Sequence, residues 1–305
     1  MIKYIIILFL FVSPLFFIGL INKVKAVWAG RKGASVFQPY YDFFKLLRKG
    51  EVISKTTSFV FKISPAVNIS AMFFALMLIP IPLAGSVISF PGDFVLFAYL
   101  LGISRFFMVI AALDTGSSFE GMGASREITF STIVEPAFFV IIGSLALLTN
   151  QNSFLSIFEA LAVSSGYTIL VKILFVVSLF IMILVESCRV PVDDPGTHLE
   201  LTMIHEVMVL DYSGPDLAYI MYSSALKMVI ISSLAVNLLI PASLTAVPAL
   251  FVFVLILVLI SISIGIIESL IARSRISHVP QFIFLMTALS LIAFAVITFF
   301  LHGNH

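Results

Sequence analysis

The sequence predicts an all-α, polytopic membrane fold of about eight spanning helices, and three observations carry that expectation. First, 61% of the 305 residues are hydrophobic and only 11% are charged, against roughly 25% charged residues in an ordinary globular domain. Second, apolar stretches of about 20 residues recur, each long enough at 1.5 Å per residue to cross a hydrocarbon core of about 30 Å. Third, the connections between these stretches alternate between charged and uncharged. Seventeen basic and sixteen acidic residues give a net charge of +1, so bulk charge points to no nucleic-acid partner. The one cysteine, Cys188, excludes an intrachain disulfide, a self-contained iron–sulfur cluster and a Cys-rich zinc site.

Residues 1–305 read as a single integral membrane domain. The spans fall at about 3–21, 66–88, 93–113, 128–149, 166–185, 217–240, 246–268 and 280–301. The apolar run Tyr4 to Leu20 is longer than the core of a signal peptide, and no A-x-A-like site follows it. Lys23 and Lys25 then act as a stop, so the first span reads as a retained helix. Pro80 and Pro82 interrupt span two, which predicts a kink or an early end. No internal repeat or low-complexity segment is evident.

The connections after spans one, three, five and seven hold thirteen of the seventeen basic residues, from Lys23 to Arg275. The connections after spans two, four and six hold none. By the positive-inside rule the charged side is cytoplasmic, and an even span count puts both termini on the outer face of the membrane.

Two charged segments on that side, 22–65 and 186–216, are too polar to span. In the first, Gln38, Asp42, Lys45 and Arg48 or Lys49 recur at helical spacing among aromatic and aliphatic residues. Ser35 is a candidate cap, and Pro39 is tolerated in a first turn. This predicts an amphipathic helix in the interface, either a surface anchor or a platform for a soluble partner. The second segment concentrates acids: Glu186, Asp193, Asp194, Glu200, Glu206, Asp211 and Asp216, with His198 and His205. Leu199 to Leu210 alternates like an amphipathic helix. The spacing of seven between the histidines fits no standard metal-ligand pattern, and H-E-x-x-H is absent. A docking face or a proton entry suits the segment better.

Ionisable groups inside spans cost about 2.5–3.5 kcal/mol each at a helix centre on insertion scales, so each needs a reason. Glu135 precedes Pro136 in span four. Glu186 ends span five, and Lys172 lies about 21 Å before it. Lys227 sits in span six and Arg105 in span three. One arrangement is a polar line from Asp193, Glu200 and Glu186 through Glu135 to Lys227 and Lys172. The other is a set of structural pairs, such as an acid neutralising Arg105 or Arg126.

At this point the sequence resembles a known family. AGRKGASVFQPYYDFFKLLRKGEV (29–52) and ESCRVPVDDPGTHLELTMIHEVMVLDYSG (186–214) resemble the membrane subunit beneath the redox arm of respiratory complex I. That family includes the equivalent subunit of energy-converting, membrane-bound NiFe hydrogenases. The resemblance runs over essentially the whole chain. Complex I versions read E-x-x-R-x-P-F-D and then a run of glutamates lining a quinone chamber. Glu186, Arg189, Pro191 and Asp193 match the first part, and Glu200 matches the last glutamate. Gly196 and His198 occupy intervening glutamate positions, which argues against a quinone chamber. GASREITFSTIVEPA (123–137) is similar to the branch typified by the formate hydrogenlyase membrane subunit.

The resemblance implies a subunit that anchors a soluble electron-transfer arm and couples it to proton or sodium movement. Expected partners are the hydrogenase large and small subunits, an iron–sulfur subunit, antiporter-like membrane subunits and the lipid bilayer of the inner membrane. The NiFe centre and the iron–sulfur clusters are expected in those partners, with no cofactor, metal or catalytic residue in this chain. Glu135, Glu186, Lys172, Lys227, Asp193 and Glu200 are then the ion-path candidates. Arg31, Gln38, Tyr40, Asp42, Lys45, Arg189, His198, Glu206 and Asp211 are the docking candidates. The competing readings are a quinone-site subunit of a complex I-type NADH dehydrogenase, a standalone ion transporter, and an anchor with no ion role.

Overall fold

The computed structural model describes residues 2–82, 84–163, 166–193, 203–241 and 243–302. Its helices are α1 (Ile2–Val12), α2 (Pro14–Trp28), α3 (Gln38–Leu47), α4 (Phe59–Leu78), α5 (Asp93–Asp114), α6 (Ser118–Thr149), α7 (Phe154–Val163), α8 (Thr168–Glu186), α9 (His205–Met208), α10 (Gly214–Leu239), α11 (Ala246–Leu270) and α12 (Val279–His302). Among the described residues, seven helices are long and apolar enough to cross a membrane, and the pair α1 and α2, bent by 49°, brings the number to eight when counted as one span. The all-α polytopic expectation therefore stands.

The bend falls at Ser13–Pro14, where proline lacks the N–H that would continue the ladder. Span one also runs on to Trp28 rather than stopping near residue 21. The two lysines do not end it because their long stems carry the charge elsewhere. Lys23 Nζ donates to the Lys32 carbonyl at 2.6 Å, and Lys25 Nζ pairs with Glu268 of α11 at 2.9 Å.

Span two starts earlier and ends earlier than expected. Ser58 Oγ accepts from Val60 N at 3.3 Å, a side-chain cap on the first turn of α4. The helix stops at Leu78, before Pro80 and Pro82, and an isolated antiparallel bridge joins Ile81 to Gly85. Irregular backbone inside a bundle needs partners for its freed polar groups. Asn237 of α10 supplies one, its Nδ2 donating to the Pro80 carbonyl at 2.8 Å.

At 32 residues, α6 is about 48 Å long at 1.5 Å per residue. It exceeds the hydrocarbon core, so the first turns, residues 118–127, extend past the expected start of span four. Polar SFEGMGASRE masked this extension in the sequence. Gly123 is needed there: a Cβ would lie 2.3 Å from the Val207 side chain and 2.8 Å from the Ile204 carbonyl.

The sequence reading missed α7, a ten-residue apolar helix too short to cross. It is tied at both ends by ionisable side chains from other helices. Asp93, buried at the start of α5, accepts from Phe154 N at 2.8 Å. Lys172 of α8 donates to the Leu161 carbonyl at 2.5 Å. Both charges match the helix dipole.

At the centre stands α10, packed on α4, α8, α2 and α11, with 78% of its apolar window buried against 28% for α11 and α12. Helices α5, α6 and α8 supply, with α10 itself, the charged groups described next. The amphipathic helix expected over 36–49 is α3. Tyr40 Oη donates to the Val12 carbonyl at 2.7 Å, using the carbonyl that the α1–α2 bend frees.

Candidate functional site: a buried ion-pair cluster

Arg105 on α5 is the hub. Its Nη2 lies 2.5 Å from Glu186 Oε1 at the end of α8. Its Nη1 pairs with Glu135 on α6, and its Nε lies 3.8 Å from Glu127, two turns earlier on α6. Lys227 of α10 completes the set, its Nζ 3.2 Å from Glu186 Oε2. Glu186 thus spends both oxygens on two cations, and its side chain is only 4% exposed. Two cations face three carboxylates, which leaves one negative charge in excess. Beside the cluster, Ser104 Oγ donates to Asn68 Oδ1 at 2.7 Å.

Glu135 is the outer member. Its side chain is 52% exposed at the rim of the bundle, on a segment of α6 that is apolar on either side.

Small cavities thread the cluster. One is lined by Arg105, Glu127, His205, Ser224 and Lys227. Another reaches Glu127, Ser131, Glu186 and Cys188. A third lies among Arg105, Glu135 and Glu186. The first two share lining residues with a larger cavity of about 480 Å³ between α2, α3, α10, the turn after α8 and α9, lined by Asn22, Lys25, Asp42, Cys188, Arg189, His205, Glu206 and Ser224 among apolar residues. His205 and Ser224 line both the large cavity and the cavity at Lys227.

A second ionic layer holds this end together. Glu268, whose side chain is fully buried, pairs with Lys25 at 2.9 Å and Arg189 at 3.3 Å. Asp193 Oδ1 lies 2.8 Å from Arg273, while Oδ2 accepts from Ile204 N at 2.9 Å and His205 N at 3.3 Å. One carboxylate therefore fixes the chain that carries His205. Arg126 Nη1 donates to the Met203 carbonyl at 2.7 Å.

The structure brings Glu135, Glu186 and Lys227 into one cluster and places Asp193 one layer away. It keeps Lys172 apart, at the C-terminal end of α7. Glu200 and His198 lie outside the described residues. Of the docking candidates, Arg31, Gln38, Asp42, Lys45 and Asp211 are exposed, while Tyr40 and Glu206 are partly buried. Gln38 Nε2 donates to Asp42 Oδ1 at 2.9 Å, a pairing of residues one turn apart. Arg189 is buried on Glu268 and faces the large cavity rather than solvent. Of the amphipathic helix expected over 199–210, the described part is the four-residue α9.

Arg105 enters the sequence reading only as one end of a structural pair with an acid; its place as the hub of three carboxylates, and the roles of Glu127 and Glu268, were not foreseen. The signal was present for the first: Arg105 is the only arginine inside an expected span, and an arginine at that depth requires carboxylates around it. Cys188 has φ +49°, a region few residues other than glycine adopt. Burial pushes its thiol well above the ordinary range, and the neighbouring Glu127 adds to the shift. Tyr212 stacks on Phe61 with ring centroids 4.0 Å apart and donates to the Phe61 carbonyl at 2.9 Å. Burial raises this phenol too.

Fold and site together define a polytopic helical membrane protein built around a buried ion-pair cluster. The family model described as NADH dehydrogenase matches residues 2–299, and the chain belongs to that family. It is 32% identical over 235 residues to hydrogenase-4 component C of Escherichia coli (strain K12), a match covering 77% of this chain and 73% of that protein. It is 27% identical over 223 residues to formate hydrogenlyase subunit 4 of the same organism, covering 73% of this chain and 72% of that one. The fold is similar to a chain of the membrane-bound sulfane sulfur reductase, an archaeal respiratory membrane complex, with TM-score 0.83, 21% identity and coverage of 97% and 98%.

Proposed function

We propose that this chain is the membrane-anchoring and ion-coupling subunit of an energy-converting, membrane-bound NiFe hydrogenase complex of the formate-hydrogenlyase type. The observation that carries the reading is the ion-pair ladder Glu135–Arg105–Glu186–Lys227, which runs from the exposed rim into the buried interior and is joined through His205 and Ser224 to the large cavity. The likeness to hydrogenase-4 component C and formate hydrogenlyase subunit 4 supports it. Electron transfer takes place in partner subunits, which hold the NiFe centre and the iron–sulfur clusters. This chain converts it into a change of pairing around Glu186.

The magnitudes are compatible. Moving one charge against 100 mV costs about 2.3 kcal/mol. Shifting a carboxylate between two cations in a low-dielectric site changes its energy by a comparable amount. The exposed residues Arg31, Gln38, Asp42 and Lys45, with Glu206 and Asp211, face the soluble large and small subunits and the iron–sulfur subunit. Glu135 at the rim is costly against lipid, so a neighbouring antiporter-like membrane subunit covers it and continues the ion path. The protein sits in the inner membrane with its charged connections on the cytoplasmic side and both termini outside.

Co-purification from native membranes tests the assignment. A large subunit with two C-x-x-C pairs, together with hydrogen evolution that acidifies or alkalinises sealed vesicles, is expected. A chain that purifies alone and exchanges ions by itself would overturn it. A second reading, a quinone-site subunit, is favoured only by the large cavity, whose apolar walls and basic Lys25 suit an amphipathic lipid quinone. Inhibition by low concentrations of quinone-site inhibitors would select that reading.

A further inference from the structure

We infer that Glu127, Cys188 and His205 form a binding site for a borderline-soft divalent metal ion of the Zn²⁺ class, at the junction of the large cavity and the ion-pair cluster. A carboxylate oxygen, a thiol sulfur and an imidazole nitrogen lie within 4.8 Å of one another. Bonds of 2.0–2.3 Å in a tetrahedral zinc site set ligand atoms about 3.5 Å apart. Side-chain rotation closes that gap. Glu127 comes from α6, Cys188 from the turn after α8 and His205 from α9, so one ion would join three elements.

The donor set selects the metal. Sulfur and imidazole disfavour Mg²⁺ and Ca²⁺, which take oxygen ligands, and suit Zn²⁺. Two ligands sit on restrained backbone. Cys188 is held at positive φ, with its N–H donating to the Val185 carbonyl at 3.1 Å. The His205 N–H is held by Asp193. Among the described residues the ion pair of Glu127 is a 3.8 Å approach of Arg105 Nε, beyond hydrogen-bond length, which leaves its carboxylate able to take a metal. Cys188 and His205 also line the large cavity, which provides an entry route and an open fourth position. Charge agrees as well. The cluster carries one excess negative charge, and a divalent ion with a thiolate brings it to zero. The site is not a redox centre, and it does not depend on the hydrogenase assignment.

Cobalt titration of the full-length chain in detergent tests it. Cys188 is the only cysteine, so a sulfur-to-cobalt charge-transfer band reports this site alone. One equivalent of Co²⁺ should saturate the band, and Zn²⁺ should abolish it. His205→Gln and Glu127→Gln should each weaken binding about a hundredfold, the upper end of what even an outer-shell loss costs. No sulfur–cobalt band, or a band undiminished in both variants, overturns the site. Should a variant fail to fold, the wild-type chain decides alone: Zn²⁺ must remove the band and Mg²⁺ at the same concentration must not.

Discussion

Arg105 and Glu186 meet at 2.5 Å inside the bundle although 81 positions separate them in the chain. Neither is neutralised locally: Arg105 lies on α5 among apolar residues, and Glu186 is the last residue of α8. Their union makes both tolerable within a membrane, and Lys227 then adds a second cation to the same carboxylate.

Removing that carboxylate should be costly. Glu186→Gln takes from Lys227 the carboxylate it pairs with and from Arg105 its most buried partner, and breaking a buried pair typically costs about 3–5 kcal/mol. A fall in the detergent unfolding midpoint is expected. Glu186→Gln combined with Lys227→Met should recover part of it, because one stranded charge goes too. A single variant as stable as wild type would refute the pairing.

Glu135 differs in its surroundings and should differ in effect. It stands at the rim, half exposed, while Arg105 keeps Glu186 and Glu127. Glu135→Gln should leave assembly intact and uncouple ion movement from electron transfer. Ion-to-electron stoichiometry in sealed vesicles is the measurement. Wild-type stoichiometry would remove Glu135 from the path.

Lys172 stands apart from the cluster, so its loss should affect stability and not coupling. Lys172→Met deletes the cation at the C-terminal end of α7, worth about 1 kcal/mol as a charge–dipole contact. Unfolding and vesicle assays on the same preparation separate the two effects. Lost coupling with unchanged stability would extend the path along α8 from Glu186 to Lys172.

Gly19 should tolerate no side chain. A Cβ there would lie 1.8 Å from the Val36 carbonyl oxygen, where α2 meets the strand of chain leading to α3. Gly19→Ala should cost about 1–3 kcal/mol by overpacking and loosen residues 29–58. Faster limited proteolysis within that segment is expected, and an unchanged cleavage rate would show that the contact is readily relieved.

Much of the fold was legible because hydropathy acts locally. About 20 apolar residues cross a bilayer wherever they occur, so eight spans and α3 could be read directly, whereas Pro80 and Pro82 left a kink and an early end of α4 both open. The errors arise where a neighbour overrides the local signal. Lys25 does not end α2 because Glu268, far along the chain, receives it. The polar start of α6 stays helical because 203–208 packs on Gly123. The short helix α7 exists because Asp93 and Lys172 tie its ends.

By itself, then, the sequence determined that the chain is an all-α membrane protein and which scarce charges enter its spans. Only the tertiary structure decided their partners. It joined Glu135, Glu186 and Lys227 through Arg105, sent Lys172 to a helix end, and brought Cys188 and His205 to Glu127. The reason is physical: burial of a single residue depends on its own transfer energy, whereas the energy of a charge pair depends on a distance that only packing sets.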